Sequence, residues 1–298
     1  MDKRPVKVHP RFRRAGRRGK EKQRGAPPTH QPDGTSMRRF YEELTSVELA
    51  ADEDLATAVA ILPIAAIEQH GAHLPLGTDA IIADGMVAAC LPLLPADMRA
   101  TFLPTLRIGK SAEHTHFPGT IDHDWQTATT SLIRIGESLA EAGFRRLILV
   151  SSHGGNTPVM ETAALELRRT LAMFVATGSW MRFGYPEAIL PEREIAHGIH
   201  GGAVETALML HFRPDLVRTE AVDEFPSLQA ELERGMRKLR AHGRLNFGWM
   251  AGDLNTSGTV GDARLGTAEM GAAIAAHQAA GFAEMIADVL AFDLARLA

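Results

Sequence analysis

Two runs of the chain are apolar on every side. Thr57 to Ile67 (TAVAILPIAAI) and Arg146 to Ser152 (RLILVSS) lack the alternation of a half-buried strand, which predicts strands covered on both faces in a parallel sheet. Pro63 interrupts the first run, and its missing ladder donor predicts a bulge or a sheet edge there. Helical periodicity follows from Ala80 to Leu94, Trp125 to Ala142 and Thr157 to Leu171, with further strand patterns at Ala100 to Leu106 and Met173 to Gly178. Ser227 to Ala241 reads as a helix of mixed charge, and Thr267 to Leu297 as an Ala-rich amphipathic pattern broken near Gly281. Strands alternating with helices predict an α/β fold of three layers, αβα, with a mostly parallel central sheet flanked by helices.

Polar chemistry gathers where the two apolar runs end. Glu68-Gln69-His70-Gly71-Ala72-His73-Leu74-Pro75-Leu76-Gly77-Thr78-Asp79 follows the first run. Glu68 and His70 lie two apart and share a side in extended chain, and the Gly/Pro loop can fold Asp79 back onto them. Carboxylate and imidazole donors after a core strand point to a metal site, although any one of them could equally be a loop charge or a cap. The second run leads into His153-Gly154-Gly155-Asn156, placing His153 at the same sheet edge. Gly-rich nucleotide fingerprints are not matched there, which argues against a phosphate loop. Ser151 and Ser152 beside His153 raise Ser-His chemistry, but no G-x-S-x-G elbow is present.

Two more segments add candidates. His197-Gly198-Ile199-His200-Gly201-Gly202-Ala203-Val204-Glu205-Thr206 opens a helix, with Glu205 in its first turn as a possible ligand or as a plain partner of the helix dipole. Ser111-Ala112-Glu113-His114-Thr115-His116-Phe117-Pro118-Gly119-Thr120 forms a polar Pro/Gly loop.

In this order and spacing the segments resemble the creatininase (creatinine amidohydrolase) family of metal-dependent hydrolases. Its hallmarks are E-x-H-G-x-H-L-P-x-x-T-D, E-H-x-x-F-P-G-T, H-G-G-N and H-[AG]-G-x-x-E-T, and the stretch Ser257 to Gly271 is also family-like. The resemblance spans about residues 38 to 290. It implies a creatininase-like fold and a two-ion centre in which Asp79 bridges, Glu68 and His153 hold one ion, and His70 holds the other. His200 matches the family's proton-shuttling histidine, and Glu205 the acidic residue that positions metal or water. Creatininase itself carries a Glu where this chain has Gly155, which leaves the second ion to Glu205 or to water. No tryptophan lies near His200 in sequence, the nearest upstream being Trp180. Both departures place the chain in an H-G-G-N branch apart from creatininase itself.

The ligand set suits Zn or Mn, and the resemblance implies two ions per chain and an amidohydrolase acting on a small amide such as a cyclic amide or a formamide. Alternatives on the same fold are a metallopeptidase-like enzyme, a carbon-carbon bond hydrolase, or a non-catalytic metal-binding protein. The irregular segments Phe183 to Ile195 and Phe247 to Gly258 are expected to shape the pocket.

Composition changes this picture little for the body of the chain. The 298 residues are 45% hydrophobic with a formal net charge of -4, enough for one large core and no case for a nucleic-acid partner. Cys90, the single cysteine, sits in a helical pattern as a core residue and indicates a reducing, cytoplasmic compartment. Residues 1–36 differ, being rich in Arg and Lys without an apolar run for a signal peptide or membrane span, and read as a disordered extension ahead of a hydrolase domain at 37–298. The family resemblance also implies a homo-oligomer, often a hexamer, and no membrane partner is expected.

Overall fold

Residues Val59–Ile64 (β1) are buried along their whole length, which is why the sequence there has no polar face. The structure, a computed structural model, describes residues 37–297, so the reading of residues 1–36 lies outside it. Before β1 comes α1 (Ser46–Ala51), held by a capping box between Thr45 and Glu48. After it run α2 (Thr78–Cys90), β2 (Ala100–Phe102), α3 (Trp125–Ala142), β3 (Arg146–Ser151), α4 (Thr157–Leu171) and β4 (Phe174–Ser179). The chain continues through α5 (Glu192–His197), α6 (Ala203–Phe212), β5 (Glu224–Phe225), α7 (Leu228–Gly235), α8 (Ala251–Leu254), β6 (Gly261–Asp262) and α9 (Ala268–Ala291).

The main sheet is parallel throughout, in the order β2-β1-β3-β4. Strand parity divides the core. Val59, Ile61, Ile148 and Val150 pack with residues of α2, α6 and α9, whereas Ala60, Leu62, Ile64, Leu147 and Leu149 pack with residues of α3 and α4. These are the three expected layers. Each fully buried Leu or Ile contributes about 1.5–3 kcal/mol by leaving water. The chain leaves β1 toward β2 on one side and returns to β3 on the other, so the carboxyl ends of β1 and β3 flank a topological switch point. Among the described residues no helix is long and apolar enough to cross a membrane.

Two sequence expectations are corrected and one is sharpened. Pro63 stands inside β1, in register with Val150 on the β3 side. On the other side Ile61 pairs with Phe102 but Ile64 with Leu106, so the neighbouring chain carries one extra residue opposite Pro63, and the missing N–H falls at that bulge. The helix expected to Ala241 stops at Gly235, because residues 233–239 are exposed and offer no face to pack. The last helix is continuous through Gly281, where a Cβ would stand 3.1 Å from the Phe183 ring, so the glycine serves close packing and not a break.

Candidate metal centre

The loop from Ala65 to Gly77 brings the first motif back over the end of β1. The Glu68 amide bonds to the Leu76 carbonyl (3.0 Å), Gly71 turns the backbone at φ +71°, and Asp79 enters as the second residue of α2. His153 follows β3 directly, and Glu205 stands in the first turn of α6 with His200 just before it. Five groups from four segments therefore meet at the switch point, all buried.

Around Glu68 Oε1 stand His153 Nδ1 at 3.1 Å, His114 Nε2 at 3.5 Å, His200 Nδ1 at 3.6 Å and His70 Nε2 at 3.9 Å. Asp79 looks both ways, with Oδ1 3.8 Å from His70 Nε2 and Oδ2 3.9 Å from His153 Nδ1. Glu205 Oε2 lies 3.8 Å from His70 Nε2. Three groups of donor atoms are each compact enough to hold an ion: Glu68, Asp79 and His153; His70, Asp79 and Glu205; and Glu68, His70 and His200. Asp79 belongs to the first two.

Hydrogen bonds on the far side of each ring aim these atoms. His70 Nδ1 meets the Glu68 carbonyl at 3.1 Å, which puts a lone pair on its inward nitrogen, and His153 Nε2 meets the Lys110 carbonyl at 3.1 Å, which leaves Nδ1 as the nitrogen a cation would take in exchange for its proton. Ser111 Oγ donates to Glu68 Oε2 (2.6 Å), leaving Oε1 facing the centre. Among the described residues Glu68 Oε1, His70 Nε2 and both Asp79 oxygens are buried without a hydrogen-bond partner. Such atoms are costly to bury unless something binds them, and this donor set suits a borderline divalent cation. The residues present fit the metal pair that the sequence implied.

The electrostatics are those of a site waiting for positive charge. Burial, then the Glu68 carboxylate, pushes Asp79 well above the usual carboxylate range, and burial also raises Glu205. Burial opposes ionisation of Glu68 as well, yet His153, His114 and His200 together hold it well below. Burial and then His200 press His70 well below an ordinary imidazole, and the same two causes bring His114 to about 3. His153 goes the other way. Its burial is outweighed by Glu68, Glu113 and Asp79, which raise it well above the ordinary value.

Glu113 occupies the space beside Gly155. A Cβ at Gly155 would collide with Glu113 Oε1 and His153 Nε2, so the position that carries Glu in creatininase is closed here by a carboxylate from another loop. That carboxylate stands 3.4 Å from His153 Nε2 and pairs with Lys110 Nζ at 2.5 Å; the two cationic neighbours outweigh its burial and hold it at about 2. Sequence reading placed Glu113 in a polar loop but gave it no role. Ser151 and Ser152 spend their hydroxyls on the carbonyls of His153 and Asp79, which removes them as nucleophiles.

Two cavities open from the centre, of about 670 and 470 Å³, and both touch His200 and Glu205. The segments expected to shape the pocket contribute Tyr185 and Ile195 to the larger and Phe247 to the smaller. Trp249 also lines the smaller cavity, so a tryptophan does stand close to His200 in space, delivered from a distant loop. Trp180 is fully buried and packs on Phe282.

Fold and donor set together define a parallel α/β metallohydrolase. A sequence profile described as "Creatininase: Creatinine amidohydrolase" matches residues 42–286. The chain belongs to the creatininase family. It is 30% identical to a mycofactocin precursor peptide peptidase of Mycolicibacterium smegmatis over 76% of this chain and 83% of that protein. With a creatinine amidohydrolase of Pseudomonas putida it shares 34% identity over 63% of this chain and 76% of that protein. A mutant creatininase of "Zn-Zn type" superposes with a TM-score of 0.68 at 27% identity, covering 86% of this chain and 100% of the other. "Creatininase Mn" gives 0.64 at 25% identity, with the same coverage.

Proposed function

We propose that this protein hydrolyses a carbon-nitrogen amide bond at a centre of two divalent ions, Zn or Mn, in which Asp79 is the shared ligand. Glu68 and His153 complete one position, and His70 and Glu205 the other. The observation that carries this reading is Asp79: fully buried, both oxygens without a partner among the described residues, and each oxygen turned to a different imidazole. Bound ions of this kind supply Lewis-acid polarisation of a carbonyl and a water acidified to a pKa of about 7.

The protein's own groups do the rest. His200 Nε2 meets the Gln69 carbonyl at 2.7 Å, which leaves its Nδ1 as the proton-accepting atom on the cavity side. That nitrogen takes a proton from the attacking water and returns it to the leaving nitrogen. Glu205, fixed by the Gly201 amide at 2.5 Å, orients the His70 side of the site. Ile199, Phe247 and Trp249 give the smaller cavity an apolar wall.

Substrate size is where a second reading has support. Two cavities meeting at His200 and Glu205 leave more room than a single small ring fills, and one relative is named a peptidase. Linear amides, including short peptides, therefore stand beside cyclic amides and formamides as substrates. The test is elemental analysis of protein purified without chelator, wild type against Asp79→Ala, followed by turnover assays on those three classes. About two equivalents of Zn or Mn per chain, lost in the variant, are expected; no metal after reloading would sink the proposal. We propose also that the chain is a homo-oligomer, which light scattering coupled to size exclusion decides.

A further inference from the structure

Four imidazoles face Glu68 Oε1, and a neutral imidazole has one lone pair and one N–H. Which of the two each ring turns inward decides what the ring can do. His70 turns a lone pair inward, as its outer nitrogen faces a carbonyl, and His153 does so once its inward proton is displaced. For the other two rings the deciding neighbour is Gln69, a buried residue inside the first motif.

The orientation of the Gln69 amide is fixed by main-chain groups that have only one role each. Its Oε1 accepts from the Gly71 N–H at 3.0 Å and its Nε2 donates to the Gly258 carbonyl at 2.6 Å, so the two ends cannot be exchanged. The second Nε2 hydrogen points at His114 Nδ1, 2.8 Å away. His114 Nδ1 must then be the acceptor, and the ring's only hydrogen lies on Nε2, facing Glu68 Oε1. His200 Nε2 is 3.2 Å from the same amide nitrogen but 2.7 Å from the Gln69 carbonyl. Its N–H goes to the carbonyl, and Nδ1 is left bare.

We infer that Gln69 is a positioning residue that sets the proton register of the centre: through its side-chain amide it makes His114 a hydrogen-bond donor toward the centre, and through its carbonyl it makes His200 an acceptor. His114 therefore does not ligate; its Nε2–H is available to an oxygen in the cavity it lines. The assignment of register stands on this geometry alone, while its use in catalysis rests on the hydrolase reading above.

The experiment reads imidazole nitrogen spectra of the full-length, nitrogen-labelled protein, metal-free and loaded with zinc, with the His114 signals identified by their loss in His114→Asn. Wild type is expected to show His114 protonated at Nε2 in both forms and without a zinc-induced shift. In Gln69→Glu the carboxylate can only accept, so His114 should acquire a proton on Nδ1. Gln69→Met keeps the length, cannot donate, and should give a mixture of tautomers. Zinc content should match wild type in both, and the backbone amide spectrum reports folding, with Gln69→Met deciding if Gln69→Glu is unfolded. An Nδ1-protonated or zinc-coordinated His114 in wild type, or an unchanged tautomer in a folded variant, overturns the inference. A wild type that takes up no zinc yet shows Nε2-protonated His114 would leave the register standing and remove the hydrolase reading.

Discussion

Asp79 and Glu194 are both buried carboxylates, and the structure treats them in opposite ways. Glu194 Oε1 accepts from the Ala203 amide and Oε2 from the Asp262 amide, each at 2.8 Å, where Gly198, Gly202 and Gly261 let the backbone come close. It ties α5, α6 and β6 together, and each of its oxygens already has a donor. Asp79, in the first turn of α2, has two oxygens and no hydrogen bond to either among the described residues. A buried carboxylate with a donor on each oxygen is satisfied as a structural staple, while one with no donor on either marks a place for a cation.

The sharpest way to break this contrast is to remove both carboxylates in turn. Asp79→Ala is expected to empty both metal positions and abolish turnover, and in metal-free protein to raise stability by about 1 kcal/mol or more, because an uncompensated buried group is gone. Metal analysis and urea unfolding of the apo forms check it; an Asp79→Ala protein that keeps its metal would end the two-ion assignment. His200→Ala, from the same region, should keep the metal and lower turnover about a hundredfold. Equal metal loss in both variants would mean that His200 is itself a ligand. Glu194→Gln should do the reverse of Asp79→Ala. Its amide nitrogen cannot accept, so one backbone N–H is left unpaired at a cost of about 2 kcal/mol, read as a lower urea midpoint with metal content retained once folded.

The contrast also shows what could be read from the sequence and what could not. Glu68, His70, Asp79 and His153 were legible because each follows a run whose apolar period announces a core strand, and the chain only has to turn once to bring them together. The helices Trp125–Ala142 and Thr157–Leu171 begin and end where their periodicity does. Glu194 was not legible. It lies in a segment expected to shape the pocket, and its partners Ala203 and Asp262 are brought to it by folding, without a local signal. Glu113 was given no role for the same reason, since its nearness to His153 is created by a loop returning from elsewhere, whereas Trp249 falls within the Phe247 to Gly258 segment expected to shape the pocket and lines the smaller cavity. Pro63 was legible as a bulge signal but not as to which chain carries the extra residue, since that residue lies in the neighbouring chain between Phe102 and Leu106.

Protons offer the finest test of the same contrast. In the metal-free protein Asp79 is raised well above its usual range, by burial first and by Glu68 next, and His153 is raised by the carboxylates around it. Both are therefore protonated at pH values where an exposed Asp or His would not be, and a divalent ion has to displace those protons to bind. Lowering the pH through this range strengthens the competitor, so apparent zinc affinity should fall about tenfold per pH unit for each proton displaced. Calorimetry in buffers of different ionisation heat counts the protons released directly. Glu113→Gln leaves Asp79 in place but removes one of the charges that raise His153, so its affinity should depend less steeply on pH at the upper end of the range. A wild-type affinity that does not change with pH would show that Asp79 carries no proton when metal-free, and its burial without a partner would then need a different account.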